Sequence, residues 1–409
     1  MTDGALDVTV DTPCPAGARL PGMYRTWFSA EGCNVADLIA LVEMTTDLAD
    51  YPHAAAIEHN VVVYDSDALR LAIGDPDRYR SVQAELAAAI LDGPGVVVFR
   101  AAFADTAVVD AATAVFEQMI ADQHALGSQV GDHFAAPGSN DRVWNALEKL
   151  ALLDPHAFAE YYANEIVALA ATAWLGPGYQ ITSQVNVVNP GGQAQSPHRD
   201  YHLGFLADDI AEQFPPHVHR LSPALTLQGA VAHCDMPLES GPTLYLPHSH
   251  KYDRGYLAWR RPEFVDYFAA HHVQLPLRCG DAVFFNPAVF HAAGTNRTAA
   301  VRRMANLLQV SSPFGRAMET VDRDAMVLAV YPALVTMGAD GATQAQIHNA
   351  IAACAEGYPF PTNLDRDPPI DGLAPESQAA LVARAVAEQW EPVHVQLELK
   401  AAAIRRASH

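Results

Sequence analysis

Between residues 176 and 311 the chain is cut into short runs rich in β-forming residues, each bounded by Pro, Gly or Asn. They are YQITSQVNVVN (179–189), ALTLQGAVAHC (224–234), TLYLP (243–247), DAVFFN (281–286) and RRMANLLQVS (302–311). Several short strands joined by loops point to a barrel or a double-sheet jelly roll. Helical patterns flank this stretch. DRYRSVQAELAAAILDG reads as an amphipathic helix stopped by Gly, GVVVFR (95–100) as a buried strand, and ADTAVVDAATAVFEQMIADQHA as a second helix with Asp105 at its N-cap. FAEYYANEIVALAATAWLG reads as a third helix. The first eighty residues are irregular, with a helix in NVADLIALVEMTTDLADY and a strand in NVVVYDS. After 316 the helical pattern returns, as in ESQAALVARAVAEQW (376–390). The expected organisation is α+β, with a core over 81–315, an N-terminal extension (1–80) packing on it and a helical C-terminal extension (316–409).

Composition removes several function classes. At 409 residues, 50% hydrophobic and 18% charged, the chain suits a compact soluble protein. A net charge of −22 opposes sequence-independent nucleic-acid binding and a polybasic membrane anchor. No apolar run approaches the ~20 residues of a membrane helix. The start, MTDGALDVTV, has no signal-peptide pattern. The cysteines (Cys14, Cys33, Cys234, Cys279, Cys354) are scattered and form no C-x-x-C, which opposes a disulfide framework or zinc knuckle. A cytoplasmic location is expected.

Two H-x-D stretches compete as chemistry: His198-Arg199-Asp200 within SPHRDYHLGF, and His233-Cys234-Asp235. On a strand, residues two apart share a face, so either pair can hold a metal from one side. With 18 histidines, roughly one H-x-D is expected by chance. A third group raises the weight of the pattern. GDAVFFNPAVFHAAGTNRTAAVRR (280–303) places His291 beyond a strand and loop, with Arg302 eleven residues later. Two His and one carboxylate make the facial triad of non-haem Fe(II) oxygenases, and a nearby arginine suits a co-substrate carboxylate.

The run from about 84 to 315 resembles the phytanoyl-CoA dioxygenase family of Fe(II)/2-oxoglutarate oxygenases. The likeness rests on ELAAAILDGPGVVVFRAAFADTAVVDAATAVF, SPHRDYH, ESGPTLYLPHSHKYDR (239–254) and GDAVFFNPAVFHAAGTNRTAAVRR. It implies a double-stranded β-helix (jelly-roll, cupin-like) core flanked by helices. Its order of motifs selects His198, Asp200 and His291 as the Fe(II) ligands and leaves His233 and Asp235 either supporting the ligands from behind or purely structural. It assigns Arg302 to the distal carboxylate of 2-oxoglutarate. Arg303 competes, but adjacent strand residues face opposite ways and only one can point inward; the family spacing of eleven favours Arg302. Where the family commonly has a small hydroxyl or glycine two residues after the distal histidine, this chain has Ala293.

Gln184 and Asn186 share a face of the strand entering the site, and with Thr243 they are candidates for contacts to co-substrate. Tyr201 and His202 adjoin the metal stretch as candidate substrate contacts. His217 and His219 follow Phe-Pro-Pro and read as a loop, a lid or merely solvated; His250 reads as structural. The resemblance thus implies a dioxygenase that uses Fe(II), 2-oxoglutarate and O2 to hydroxylate a small molecule, amino-acid-like or a natural-product intermediate. An acyl-CoA hydroxylase and a non-catalytic metal-binding jelly roll are the alternatives. No nucleic-acid or membrane partner is expected; the long extensions 1–80 and 316–409 could form a lid, a dimer interface or both, so a homodimer is one open outcome.

Overall fold

A computed structural model describes residues 27–127, 140–369 and 372–408. Its strands are β1 (Ala56–Glu58), β2 (Val61–Asp65), β3 (Val96–Arg100), β4 (Asn140–Val143), β5 (Gln180–Val188), β6 (Thr226–Ala232), β7 (Leu244–Leu246), β8 (Ala282–Phe285), β9 (Phe290–Ala292) and β10 (Arg303–Ser311). Eight form one sheet in the order β1-β2-β3-β8-β6-β10-β5-β4, while β7 and β9 pair in a second. Two isolated bridges, His198↔His291 and Tyr245↔Val273, widen the small sheet on both sides. From β5 onward the chain passes back and forth between the two sheets, which is the winding of a double-stranded β-helix.

Alternation along each strand sorts the core into two. Val97, Phe99, Val231, Phe284 and Leu308 point outward to the helices, and Val96, Val98, Ala230, Val283 and Phe285 point inward with Tyr245 of β7. Both faces of the large sheet are therefore covered, and its strands read as nearly unbroken hydrophobic runs. β2 and β3 are parallel. Their connection carries two helices, Ser66–Ile73 and Pro76–Leu91, as a parallel pair requires. Residues before 80 thus add strands to the main sheet. Met326, Val330, Ile351, Leu381 and Leu399 of the C-terminal helices join the same outer core.

Some local expectations are corrected. Asp105 does cap its helix, accepting from Ala107 N at 2.9 Å. The single helix expected across 157–176 is two, Pro155–Tyr162 and Glu165–Leu175. Asn164 makes the break: its side-chain oxygen accepts from Ile166 N and Val167 N, and its amide donates to Ala102 O at 2.7 Å. His217 and His219 lie on a helix, Pro216–Ala224, rather than in a loop, because Pro216 sits where a helix begins without needing its N–H. Cys14 lies outside the described residues.

Candidate metal centre

His198 and His291 are brought together by backbone pairing. His198 N donates to His291 O at 2.9 Å and His291 N to His198 O at 3.2 Å, leaving the ring centroids 4.4 Å apart. Each ring holds a carbonyl two residues upstream with its Nδ1, Ser196 O at 3.0 Å and Val289 O at 2.9 Å. A carbonyl only accepts, so Nδ1 carries the proton and Nε2 keeps its lone pair for a metal. Both Nε2 atoms face Asp200: His291 Nε2 is 3.3 Å from Oδ2, and His198 Nε2 is 3.8 Å from Oδ1. The three ligating groups lie within 4.8 Å of one another, the one such group of His, Cys, Asp and Glu among the described residues.

Asp200 is held in place by its neighbours. Gln228, inward-facing on β6, donates Nε2 to Asp200 Oδ2 at 2.5 Å. Burial raises the carboxyl pKa, but the neighbouring His198 and His291 imidazoles and the hydrogen bond from Gln228 outweigh it and hold the group below the usual carboxylate range. Arg199, between the two ligands, turns the other way. Its Nη2 donates to Ser249 O (2.6 Å) and Tyr252 O (2.9 Å). Its guanidinium lies 5.2 Å from the Tyr256 ring centroid and 5.0 Å from that of Phe290.

The triad opens into a cavity of about 410 Å³ between the sheets. Gln184, Asn186 and Thr243 line it, as do Gln228, Tyr245 and Ala293. Gln184 Oε1 accepts from Arg142 Nη2 at 2.7 Å, and its Nε2 donates to Glu319 Oε1 at 3.3 Å. The inward arginine is Arg303, not Arg302. Arg303 is buried in the cavity wall, whereas Arg302 lies ahead of β10, half-exposed and ion-paired with Glu117 at 2.8 Å. The phase of β10 decides this: Ala305, Leu307 and Gln309 face the cavity, so the odd-numbered set including 303 points in.

Tyr201 and His202 do not line the cavity. The chain turns at Tyr201 (φ 64°) and His202 (φ 42°), so the two-residue alternation stops at Asp200. Tyr201 is buried, and His202 bonds Ser222 Oγ at 3.0 Å. The rival pair stands apart from the cavity. His233 is buried between the hydroxyls of Thr113 (2.8 Å) and Tyr161 (2.9 Å), with its pKa pushed down to about 3 by burial. Asp235 accepts from Cys279 N at 3.0 Å. Sequence reasoning missed Gln228 and Tyr245. Each could have been found by alternation, Tyr245 lying two residues after Thr243.

The donor set suits Fe(II): two imidazole nitrogens and one carboxylate on one side. The cavity also suits a dicarboxylate, since Arg303 Nη1 is buried there with no partner and a buried guanidinium needs an acceptor. Among the described residues no helix is long and apolar enough to cross a membrane.

Solved structures give distant likenesses. The non-heme alpha ketoglutarate dependent epimerase SnoN from nogalamycin biosynthesis is 20% identical, with a TM-score of 0.39 over 58% of this chain and 84% of that one. The carbocyclase SnoK from the same biosynthesis is 21% identical, with a TM-score of 0.40 over 56% and 83%. HygX from Streptomyces hygroscopicus, with nickel and 2-oxoglutarate bound, is 14% identical, with a TM-score of 0.37 over 57% and 89%. No curated protein matches the sequence significantly. The family profile of phytanoyl-CoA dioxygenase matches residues 77–304, more than half of the chain and all three residues of the triad, so the chain belongs to the phytanoyl-CoA dioxygenase family and is a 2-oxoglutarate-dependent iron oxygenase.

Proposed function

We propose that the protein hydroxylates an unactivated C–H bond of a small-molecule metabolite, amino-acid-like or a natural-product intermediate, with release of succinate and CO2. The observation that carries this reading is the meeting of His198, Asp200 and His291 with the buried Arg303 in one cavity. Two imidazoles and a carboxylate leave one side of a metal open for a keto acid and dioxygen. Iron with its keto acid supplies the oxidising power when bound. The residues of the chain hold and orient. The two Nδ1–H bonds fix the imidazoles, Gln228 fixes the carboxylate, and Arg303 offers its fork to the distal carboxylate of 2-oxoglutarate.

Size and charge favour a small substrate. A cavity of about 410 Å³ must hold co-substrate and substrate together, and the chain's net charge of −22 opposes an acyl-CoA with its several phosphates. Asp200 supports hydroxylation over halogenation, which needs that coordination position open for halide. The test is succinate release from 2-oxoglutarate by anaerobically purified protein given Fe(II) and air. Wild-type turnover that His198→Ala abolishes and Asp235→Ala spares is the expected result. Loss of turnover in Asp235→Ala alone, or a wild type that neither makes succinate nor binds 2-oxoglutarate with Fe(II), would sink the reading.

A further inference from the structure

The cavity has two ends, and strand register separates them. The inward residues of β10 run from Arg303 through Ala305 and Leu307 to Gln309. That stretch of strand spans about 20 Å, so Gln309 stands at the end away from Arg303. Gln228 lies opposite Gln309 in register, and its Nε2 holds Asp200 at this end. A carboxylate only accepts, so the Gln228 amide is fixed, and its Oε1 is left buried without a partner. A further unpartnered oxygen comes from beyond residues 77–304, the stretch that matches the family. Glu319 follows Met318, which lines the cavity, and its Oε1 accepts from Asn145 N at 3.0 Å and from Gln184 Nε2 at 3.3 Å. Arg142 takes the other end of the Gln184 amide, so Gln184 is spent on both sides. Glu319 Oε2 is buried with no partner. The Tyr201 phenol senses the charge of both Asp200 and Glu319, which places the two carboxylates about the same end.

Burial raises the Glu319 carboxyl, and the hydrogen bonds from Asn145 and Gln184 with the nearby charges of Arg142 and Lys149 offset only part of that. A buried carboxylate oxygen gains most from a donor that brings positive charge. Phe205 and Met318, which line this end, offer no donor. The net charge of −22 favours the approach of a cation. We propose that this end of the cavity binds a protonated amino group of the substrate, with Glu319 as its counter-ion and Gln228 Oε1 as a further acceptor, so that the substrate is a primary amine. The inference rests on the oxygenase reading above and names the substrate class of that same site. An ammonium group carries three donors and no acceptor. Acylation of the amine removes its charge and two of those donors, which leaves the Glu319 oxygen buried and unpaired and penalises the acylated compound beyond the loss of one contact.

The test gives the full chain Fe(II), 2-oxoglutarate and air, and measures how far added compounds accelerate succinate release. The probes are the proteinogenic amino acids, putrescine, spermidine and glucosamine, each beside its N-acetyl derivative. The expected outcome is that at least one free amine accelerates succinate release roughly tenfold and its acetylated form does not. Glu319→Gln keeps the shape of the side chain and removes its charge. For the amine found, it is expected to raise KM about tenfold or more while kcat changes by less than about threefold. Equal acceleration by the acetylated form, an unchanged KM in Glu319→Gln, or slow succinate release that no amine of the set accelerates would each overturn the proposal. The acetylation comparison uses wild type alone, so it stands even where Glu319→Gln folds poorly. A wild type that neither makes succinate nor binds 2-oxoglutarate with Fe(II) overturns the oxygenase reading itself, which separates the two failures.

Discussion

At the residue scale the site turns on single steps of alternation. Counting eleven residues from His291 selects Arg302, yet the inward place belongs to Arg303 because strand phase, and not distance along the loop, aims a side chain. The triad itself was legible because its chemistry lies in residue types and motif order. The groups that support it were not, since Gln228 and Tyr245 carry no motif and gain meaning only from what they face. Gln228 is the sharper case. Its Nε2 holds Asp200 Oδ2, and its own Oε1 is buried without a partner. Groups that orient a metal-binding carboxylate typically contribute about 10–100-fold to affinity. Gln228→Ala is therefore expected to weaken divalent-metal binding by roughly that factor, measured by calorimetric titration with Mn(II). Unaltered metal affinity would show that the Asp200 carboxylate is set by backbone and imidazoles alone.

At the element scale the strands of the large sheet were readable from β-branched and aromatic runs bounded by turn residues. The small sheet was harder: β7 and β9 have three residues each, and the His198 segment joins through one bridge. Pairing of that kind is decided by tertiary contacts that local propensity does not encode. The break at Asn164 was equally hidden, because its capping amide reaches Ala102, far away in sequence. What holds the H-x-D segment against the body is the turn Gly255–Leu257, packed on the Arg199 side chain. A Cβ at Gly255 would overlap the Arg199 guanidinium, which the carbonyls of Ser249 and Tyr252 keep from moving. Gly255→Ala is thus expected to cost about 1–3 kcal/mol, the usual range for overpacking. Because Arg199 lies between His198 and Asp200, metal affinity should fall with it. Denaturant unfolding and metal titration of the same variant check both; a stable variant with weakened metal would show that the turn tunes the site without supporting the fold.

At the scale of the whole molecule the buried imidazoles outside the metal site act as fasteners that acid should release. His233 joins the end of β6 to the helices Thr106–Ala125 and Pro155–Tyr162 through Thr113 and Tyr161. His250 bonds Leu91 O at the end of the helix Pro76–Leu91. Burial pushes both down to about 3, with Lys251 and Arg199 adding to the shift at His250. A folded-state pKa below the unfolded value of about 6.5 means that both states are neutral above pH 6.5. Below it the unfolded chain takes up protons that the folded one refuses, so stability falls down to the folded-state pKa, at up to about 1.4 kcal/mol per pH unit for each group. Glu319, raised by burial, works in the opposite direction and offsets part of the loss. His233→Gln removes one titrating group and keeps a side chain that can meet both hydroxyls. Its unfolding free energy, measured in urea from pH 7.5 to 4.5, should fall less steeply below pH 6.5 than that of the wild type. Parallel curves would mean that the His233 site accepts a proton as readily as water does, and that the Thr113 and Tyr161 hydroxyls turn to solvate the imidazolium.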